Sequence, residues 1–323
     1  MNVDLLSDVL RVVRLDGAFF YRVEATAPWC VESRTPTELR PRVLPASEHL
    51  VAYHVLVEGE CWAGLHGGEQ TRMRSGDVVV FPLGSPHRMS SARGLGDALV
   101  LTELPDATRL PFTMRMGGGG EHAKFVCGFL GCDRGPFNPL LGALPAQLVV
   151  HGEETSWLGA FTRHALAESE SSRAGGELVI TRLAELMFIE VLRRHVESLP
   201  PQSTGWLAGL RDPLVGRALA LLHGAPAREW SLQELAEESA TSRTVLAERF
   251  GELVGLAPMQ YLARWRMQLA AERLDHSTDK LATIAQSVGY ASEAAFSRAF
   301  RKLVGASPSH WRARRTRVGA PDG

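Results

Sequence analysis

His54 and Glu58 stand four residues apart, so on a β-strand they would share one face. His87 follows at the end of the stretch Gly76-Asp-Val-Val-Val-Phe-Pro-Leu-Gly-Ser-Pro-His87. Two imidazoles and a carboxylate make a donor set that divalent metals accept. A second chemistry lies in the four cysteines, Cys30, Cys61, Cys127 and Cys132. Cys127 and Cys132 are five apart, which puts them on opposite faces of a single strand. Gly131 would have to bend the chain for them to pair. Such a pair would sense redox state if one thiol were exposed with a low pKa. No Ser/His/Asp arrangement, phosphate-binding glycine loop or Cys-x-x-Cys pair is present. Gly117–Gly120 is a run of four glycines with no phosphate-binding helix after it, and reads as a flexible connection beside a sheet.

The elements that could present a different chemistry lie in the last third, which repeats itself. Leu232–Pro258 reads against Leu281–Pro308. Leu235-Ala236 matches Ile284-Ala285; Ser242, Leu246 and Phe250 match Ser292, Phe296 and Phe300. Leu253-Val254-Gly255 matches Leu303-Val304-Gly305. The second copy has one extra residue in the turn before Ser292. Each copy is a short helix, a turn, then a longer helix opened by a serine N-cap, the pattern of a helix-turn-helix. Ser231 with Glu234 makes a capping box ahead of the first. Helical spacing expects Val245, Leu246, Phe250 and Leu253 to be buried in copy one. It expects the same of Ile284, Val288, Phe296, Phe300 and Leu303 in copy two. Pro258–Leu274 reads as one amphipathic spacer helix, its proline suited to the first turn. Two such heads can reach successive major grooves on one face of a duplex.

This region resembles the DNA-binding domain of AraC/XylS-family transcription regulators, over about Asp212 to Arg315. Ile284-Ala285, Gly289-Tyr290, Phe296, Arg298, Phe300, Gly305, Pro308 and Arg312 carry the likeness. The resemblance implies double-stranded DNA as partner. It places base-reading positions at Arg243, Thr244, Ala247 and Glu248 behind Ser242, and at Glu293, Ala294, Ser297 and Arg298 behind Ser292. Ala247 offers only a methyl contact, and Glu248 accepts from cytosine but repels phosphate. Arg298 has the fork that matches guanine O6 and N7. Arg249 and Arg301 read as backbone contacts or surface charge.

Charge divides along the same line. The chain of 323 residues has net charge −1, yet residues 242–317 hold 13 Lys/Arg against 6 Asp/Glu. Residues 1–241 hold 22 against 29. The basic end can meet phosphate and the remainder cannot. The length exceeds one ordinary core. Ser198–Gly205 (SLPPQSTG) reads as the boundary between a domain of about 1–200 and one of about 206–316. Before it, Glu177–Glu197 is a strong helix. Its apolar set of Val179, Leu183, Leu186, Met187, Ile189, Val191 and Leu192 is wider than one core stripe needs. A second copy of the chain is the expected partner for the extra face. No stretch of about twenty apolar residues is present. The first residues lack the basic start of a signal peptide, so a cytoplasmic location with reduced thiols is expected.

Residues 1–135 alternate short apolar runs with Gly, Pro and Ser turns: Gly17–Glu24, Leu50–Glu58, Gly76–Leu83, Ala98–Leu104 and Lys124–Leu130. That spacing suggests a β-sandwich or barrel; helices are expected over about 137–198. Gly76, Pro82, Gly84 and His87 have the spacing of the second cupin motif, and His54 with Glu58 part of the first, whose other histidine falls at Ala52. The region resembles the cupin sensory domain of a subgroup of AraC-type regulators. The resemblance implies a mixed α+β chain: a cupin-like barrel with following helices, then an all-α domain with two helix-turn-helix motifs. Zinc or another divalent metal could sit on His54, Glu58 and His87, with Cys61 or Cys127 in place of the missing ligand. A barrel that binds a ligand without metal stays open beside this. The expected function is a non-enzymatic transcription regulator, responsive to a small molecule or to redox state. The alternatives are a cupin metal enzyme fused to a DNA-binding tail, and a regulator whose first domain only dimerises. RNA polymerase is a further partner the reading leaves open; a membrane is not.

Overall fold

The structure, a computed structural model, describes residues 4–96, 99–100, 113–152, 157–170 and 173–318. They form two compact units, neither of them continuous in the chain. One comprises Leu15–Asp133 and Leu144–Ser198. The other comprises Met1–Arg14, Arg134–Ala143 and Leu199–Gly323. The first helix and a short stretch after the barrel thus belong with the C-terminal helices.

The first unit is built on β1 (Leu15–Thr26), β2 (Cys30–Glu32), α2 (Pro36–Val43), β3 (His49–Glu58), β4 (Glu60–Leu65), β5 (Gln70–Arg74) and β6 (Val78–Phe81). It continues with β7 (His87–Ser90), β8 (Leu99–Val100), β9 (Thr113–Gly117), β10 (His122–Cys132), β11 (Leu148–Val150), α4 (Trp157–Glu170) and α5 (Gly176–Ser198). The expected strand Ala98–Leu104 falls mostly outside the described residues. A six-stranded sheet runs β11-β6-β3-β10-β1-β9, and a five-stranded sheet runs β5-β4-β7-β2-β8. One core joins them, with Tyr21, Leu56 and Phe125 from the first sheet and Cys61, Met73 and Met89 from the second. β1 alternates buried and part-exposed residues from Tyr21 to Thr26, as a strand with one covered face does, whereas β10 is buried continuously from Phe125 to Cys132 and so is covered on both faces.

Two local features differ from expectation. The glycine run is not a loose connection: Gly118 N–H donates to Thr26 O (2.9 Å), Gly119 N–H to Thr26 Oγ1 (3.0 Å) and Gly120 N–H to Ala27 O (2.8 Å). At Gly117, with φ +117°, a Cβ would lie 1.8 Å from Thr26 O, so close backbone approach demands glycine there. The second is a bulge in β3. Leu56 pairs with Phe125 but Glu58 with Lys124, so Val57 is the extra residue.

The second unit holds α1 (Leu5–Val13), α3 (Pro139–Ala143), α6 (Trp206–Arg211), α7 (Pro213–Gly224), α8 (Leu232–Glu238) and α9 (Arg243–Val254). It ends with α10 (Pro258–His276), α11 (Leu281–Ser287), α12 (Glu293–Val304) and α13 (Pro308–Val318). α1 buries Leu5, Val9 and Val13 and packs against α7 and α10. After β10, Phe137 N–H donates to the buried side chain of Gln268 in the middle of α10 (3.0 Å). At the centre, Trp206 Nε1–H donates to the Tyr261 hydroxyl (2.9 Å), and His223 Nε2 lies 2.8 Å from that oxygen.

Candidate nucleic-acid interface and barrel pocket

Both helix pairs form. Ser231 and Glu234 satisfy each other's backbone N–H, as a capping box requires. Ser242 and Ser292 spend their hydroxyl oxygens on capping, accepting from Val245 N–H (3.3 Å) and Ala295 N–H (3.2 Å). The two turns are alike: Thr241 N–H donates to Ala236 O and Tyr290 N–H to Ala285 O, each at 3.0 Å. Ala240 (φ +57°) and Gly289 (φ +83°) both take the left-handed conformation before it. Gly255 and Gly305 end α9 and α12 in that same conformation, which glycine adopts without steric cost.

Leu246, Phe250 and Leu253 anchor α9, and Phe296 and Phe300 anchor α12. Val245 and Leu303 were expected inside, but are 50% and 41% exposed. Val245 precedes Leu246 by about 100° of helical turn and so falls off the buried stripe. Leu253 is buried on α9, which packs against α6, α7, α8 and α10.

Arg243, Thr244, Glu248, Glu293, Ala294 and Arg298 are exposed near the starts of their helices, with Ala247 and Ser297 half-buried beside them. Among the described residues no acid pairs with the guanidinium of Arg243, Arg298 or Arg301. Arg249 differs: it bonds Asp212 (3.0 Å) and Glu252 (3.3 Å), so it holds α9 to the start of α7. Sequence reasoning missed Arg266, which donates to Pro226 O and Arg228 O (both 2.7 Å) and fixes the loop before α8. A lone arginine in an amphipathic helix carries no signal of that role.

Inside the other unit, His54 on β3 and His87 on β7 meet across the two sheets. Their Nε2 atoms are 2.7 Å apart and both rings are buried. His87 Nδ1 is 2.9 Å from Ser85 O, an oxygen that only accepts, so Nδ1 carries the hydrogen. In a neutral ring Nε2 of His87 is then bare. His54 therefore donates from Nε2, leaving its Nδ1 a bare acceptor; that atom is buried and has no partner among the described residues. Burial keeps both rings uncharged, with His54 pushed well below its ordinary value and His87 down to about 4. An acceptor left unmet this way costs about 1–3 kcal/mol.

Glu58 does not join them. The bulge at Val57 turns it to the outer face, where its carboxylate pairs with Lys124. Strand parity failed here because one inserted residue reverses it. Among the described residues no three His, Cys, Asp or Glu side chains are grouped to hold a metal ion. The zinc set expected from His54, Glu58, His87, Cys61 and Cys127 does not fit this barrel. Nor do Cys127 and Cys132 pair. β10 runs unbroken through both, with Cys127 opposite His54 and Cys132 opposite His49, and all four cysteines are buried thiols outside any disulfide. Five residues of extended chain separate their Cα atoms by roughly 16 Å, far beyond disulfide reach. Burial pushes the thiols of Cys127 and Cys61 up, away from reactive thiolate.

The histidines line a partly open cavity of about 40 Å³, whose other walls include Val23, Leu39, Met114, Phe125 and Phe129. Trp29, open in the sequence reading between pocket mouth and core, does both: it lines the cavity and meets Phe125 edge-on with centroids 5.4 Å apart.

The matches to known proteins follow the two units. Residues 4–197 match the family model described as Cupin, and residues 235–314 match that described as Helix-turn-helix domain. A "Putative AraC-like transcription regulator" of Streptomyces lividans is 48% identical over 323 residues, covering 96% of this chain and 98% of that one. The chain belongs to the AraC-type transcription regulators. It is also 28% identical to the HTH-type transcriptional regulator AlkR of Acinetobacter baylyi, over 96% of this regulator and 99% of that one. The solved DNA-binding domain of AdpA, in complex with a target DNA, shares 30% identity over 35% of this regulator and 99% of that domain, with TM-score 0.32. The regulator is a DNA-binding protein of mixed α+β fold, with a cupin domain and a helix-turn-helix domain. Among the described residues, no helix is long and apolar enough to cross a membrane.

Proposed function

We propose that this regulator reads DNA with α9 and α12 and adjusts that binding to a small molecule held inside the barrel. The observation that carries the second half is the cavity, with a buried acceptor among its lining residues that no described residue satisfies. Sensing by a Cys127–Cys132 couple has no support from the geometry, and neither has metal chemistry. The residues proposed to meet DNA are Arg243, Thr244, Ala247 and Glu248 on α9, and Glu293, Ala294, Ser297, Arg298 and Arg301 on α12. The work is that of a cytoplasmic regulator without an enzymatic step, acting with RNA polymerase at the promoters it binds.

A second copy completes the protein in this reading. α5 buries Ile180, Ala184, Met187, Phe188, Val191 and Leu192, yet leaves Leu178, Val179 and Leu186 exposed. An apolar stripe on the outer face of a long helix favours pairing with its own copy.

The test is a gel shift on promoter DNA selected by the purified full chain, with and without a panel of small molecules, paired with light scattering. A shift that some molecule strengthens or weakens, from a dimeric protein, is the expected result. DNA affinity unmoved by every molecule that binds the chain would overturn the sensing role.

A further inference from the structure

The cavity's chemistry narrows the class of molecule it takes. Its walls are hydrocarbon and thioether: Val23 and Val31, Met89 and Met114, Phe125 and Phe129 face it from both sheets. The polar groups among the lining residues are already engaged. Tyr21 bonds Cys127, Ser33 accepts from His87 N–H (2.9 Å), and Arg34 pairs with Glu38 (3.7 Å). His54 Nδ1 is the exception, an acceptor without a donor. A water molecule needs two to four polar partners to settle in such a place, and this one would find little beyond that nitrogen.

We infer that the barrel binds a compact, uncharged, mostly hydrocarbon molecule carrying one hydrogen-bond donor, a single-ring phenol being the simplest example, with its O–H given to His54 Nδ1. This rests on the sensing role proposed above. An anion is disfavoured, because a bare lone pair repels it and the cavity's cation already has a carboxylate partner. A plain hydrocarbon fills the space but leaves His54 Nδ1 unmet, the asymmetry by which sites with a buried polar group reject analogues lacking its partner. At about 40 Å³ the cavity is smaller than one ring, and His54 Nδ1 is covered, so a single-ring guest sets the upper limit and enters as the flexible methionine side chains of the wall move aside.

The experiment is calorimetry on the full chain with p-cresol, toluene and benzoate. p-Cresol binding at least tenfold tighter than toluene, with benzoate weaker than p-cresol, is the expected order. His54→Leu should bring p-cresol and toluene within about twofold of each other, with circular dichroism checking that the variant stays folded. Toluene equal to p-cresol on the unmodified chain would overturn the donor assignment, and benzoate tightest would overturn the uncharged class. No binding by any of the three overturns the proposal as a whole; because the ligand series runs on the unmodified chain, an unfolded variant does not spare it. Promoter affinity is measured in parallel. p-Cresol that binds as described without moving promoter affinity would sink the sensing role while leaving the site's chemistry in place.

Discussion

His223 Nε2 and the Tyr261 hydroxyl lie 2.8 Å apart at the centre of the helical unit, and both groups are buried. Trp206 donates to the same oxygen, so Tyr261 passes its hydrogen to His223, which must be neutral to accept it. Burial pushes His223 down to about 3. Below about pH 6.5 the unfolded chain takes up a proton at this position and the folded chain does not. Stability present above that pH is therefore lost as pH falls toward 3. The loss from this group is about 2 kcal/mol at pH 5. Urea denaturation of the full chain, followed from pH 7 to pH 5, should show it, and His223→Gln should flatten the dependence by about that amount. An unchanged slope in the variant would mean the ring is protonated when folded.

Ala240 and Gly289 hold the same place in the two turns, but only Gly289 is compelled. A Cβ there would lie 2.5 Å from Ala227 O. Gly289→Ala should destabilise by about 2 kcal/mol or more, since both strain and overlap oppose it. Ala240→Gly should be neutral or stabilising by up to about 1 kcal/mol, as release from the left-handed penalty offsets added chain entropy. Thermal denaturation of both variants checks the contrast.

Arg298 and Arg301 are both exposed on α12 and unpaired among the described residues. Arg298 sits nearer the helix start, where base edges are reached. Arg298→Ala should cost about 1–3 kcal/mol on a selected site and relax preference at one or two base pairs. Arg301→Ala should weaken binding evenly across sequences and lower its salt dependence. In vitro selection with both variants decides it; an unchanged sequence preference for Arg298→Ala would move base reading to Glu293, Ser297 or α9.

Leu186 is 49% exposed on α5 and is not among that helix's buried residues. Leu186→Glu should leave the melting temperature within about 2 °C at low concentration, because surface changes rarely exceed about 0.5 kcal/mol. Light scattering should then find a monomer for the variant and a dimer for the unmodified chain, as the proposed pairing requires. A dimer that survives both Leu186→Glu and Val179→Glu would place the interface elsewhere.

Gly117→Ala tests whether the glycine run is structural. With Thr26 O only 1.8 Å from the added Cβ, the β1–β9 pairing must open. Loss of several kcal/mol, or no soluble protein, is expected; near-normal stability would restore the reading of a loose connection.

The helix-turn-helix pair was legible in the sequence because every determinant is local: serine caps, helical spacing of Leu246, Phe250, Phe296 and Phe300, and glycine at the two helix ends. Repetition made the pattern plain, and family resemblance turned it into a function. The barrel's strands were legible for the same reason, as short apolar runs between Gly, Pro and Ser turns. Tertiary structure decided the rest. The facing of Glu58 depended on a single bulge residue that parity cannot see, and that residue removed the metal set. His54 and His87, 33 residues apart, meet only because β3 and β7 lie in opposing sheets. Their tautomers, and the bare nitrogen that gives the cavity its selectivity, follow from one backbone oxygen at Ser85. Likewise α1 and Gln268 join segments over a hundred residues apart. Contacts at that range are set by how the units close, and no window of sequence contains them.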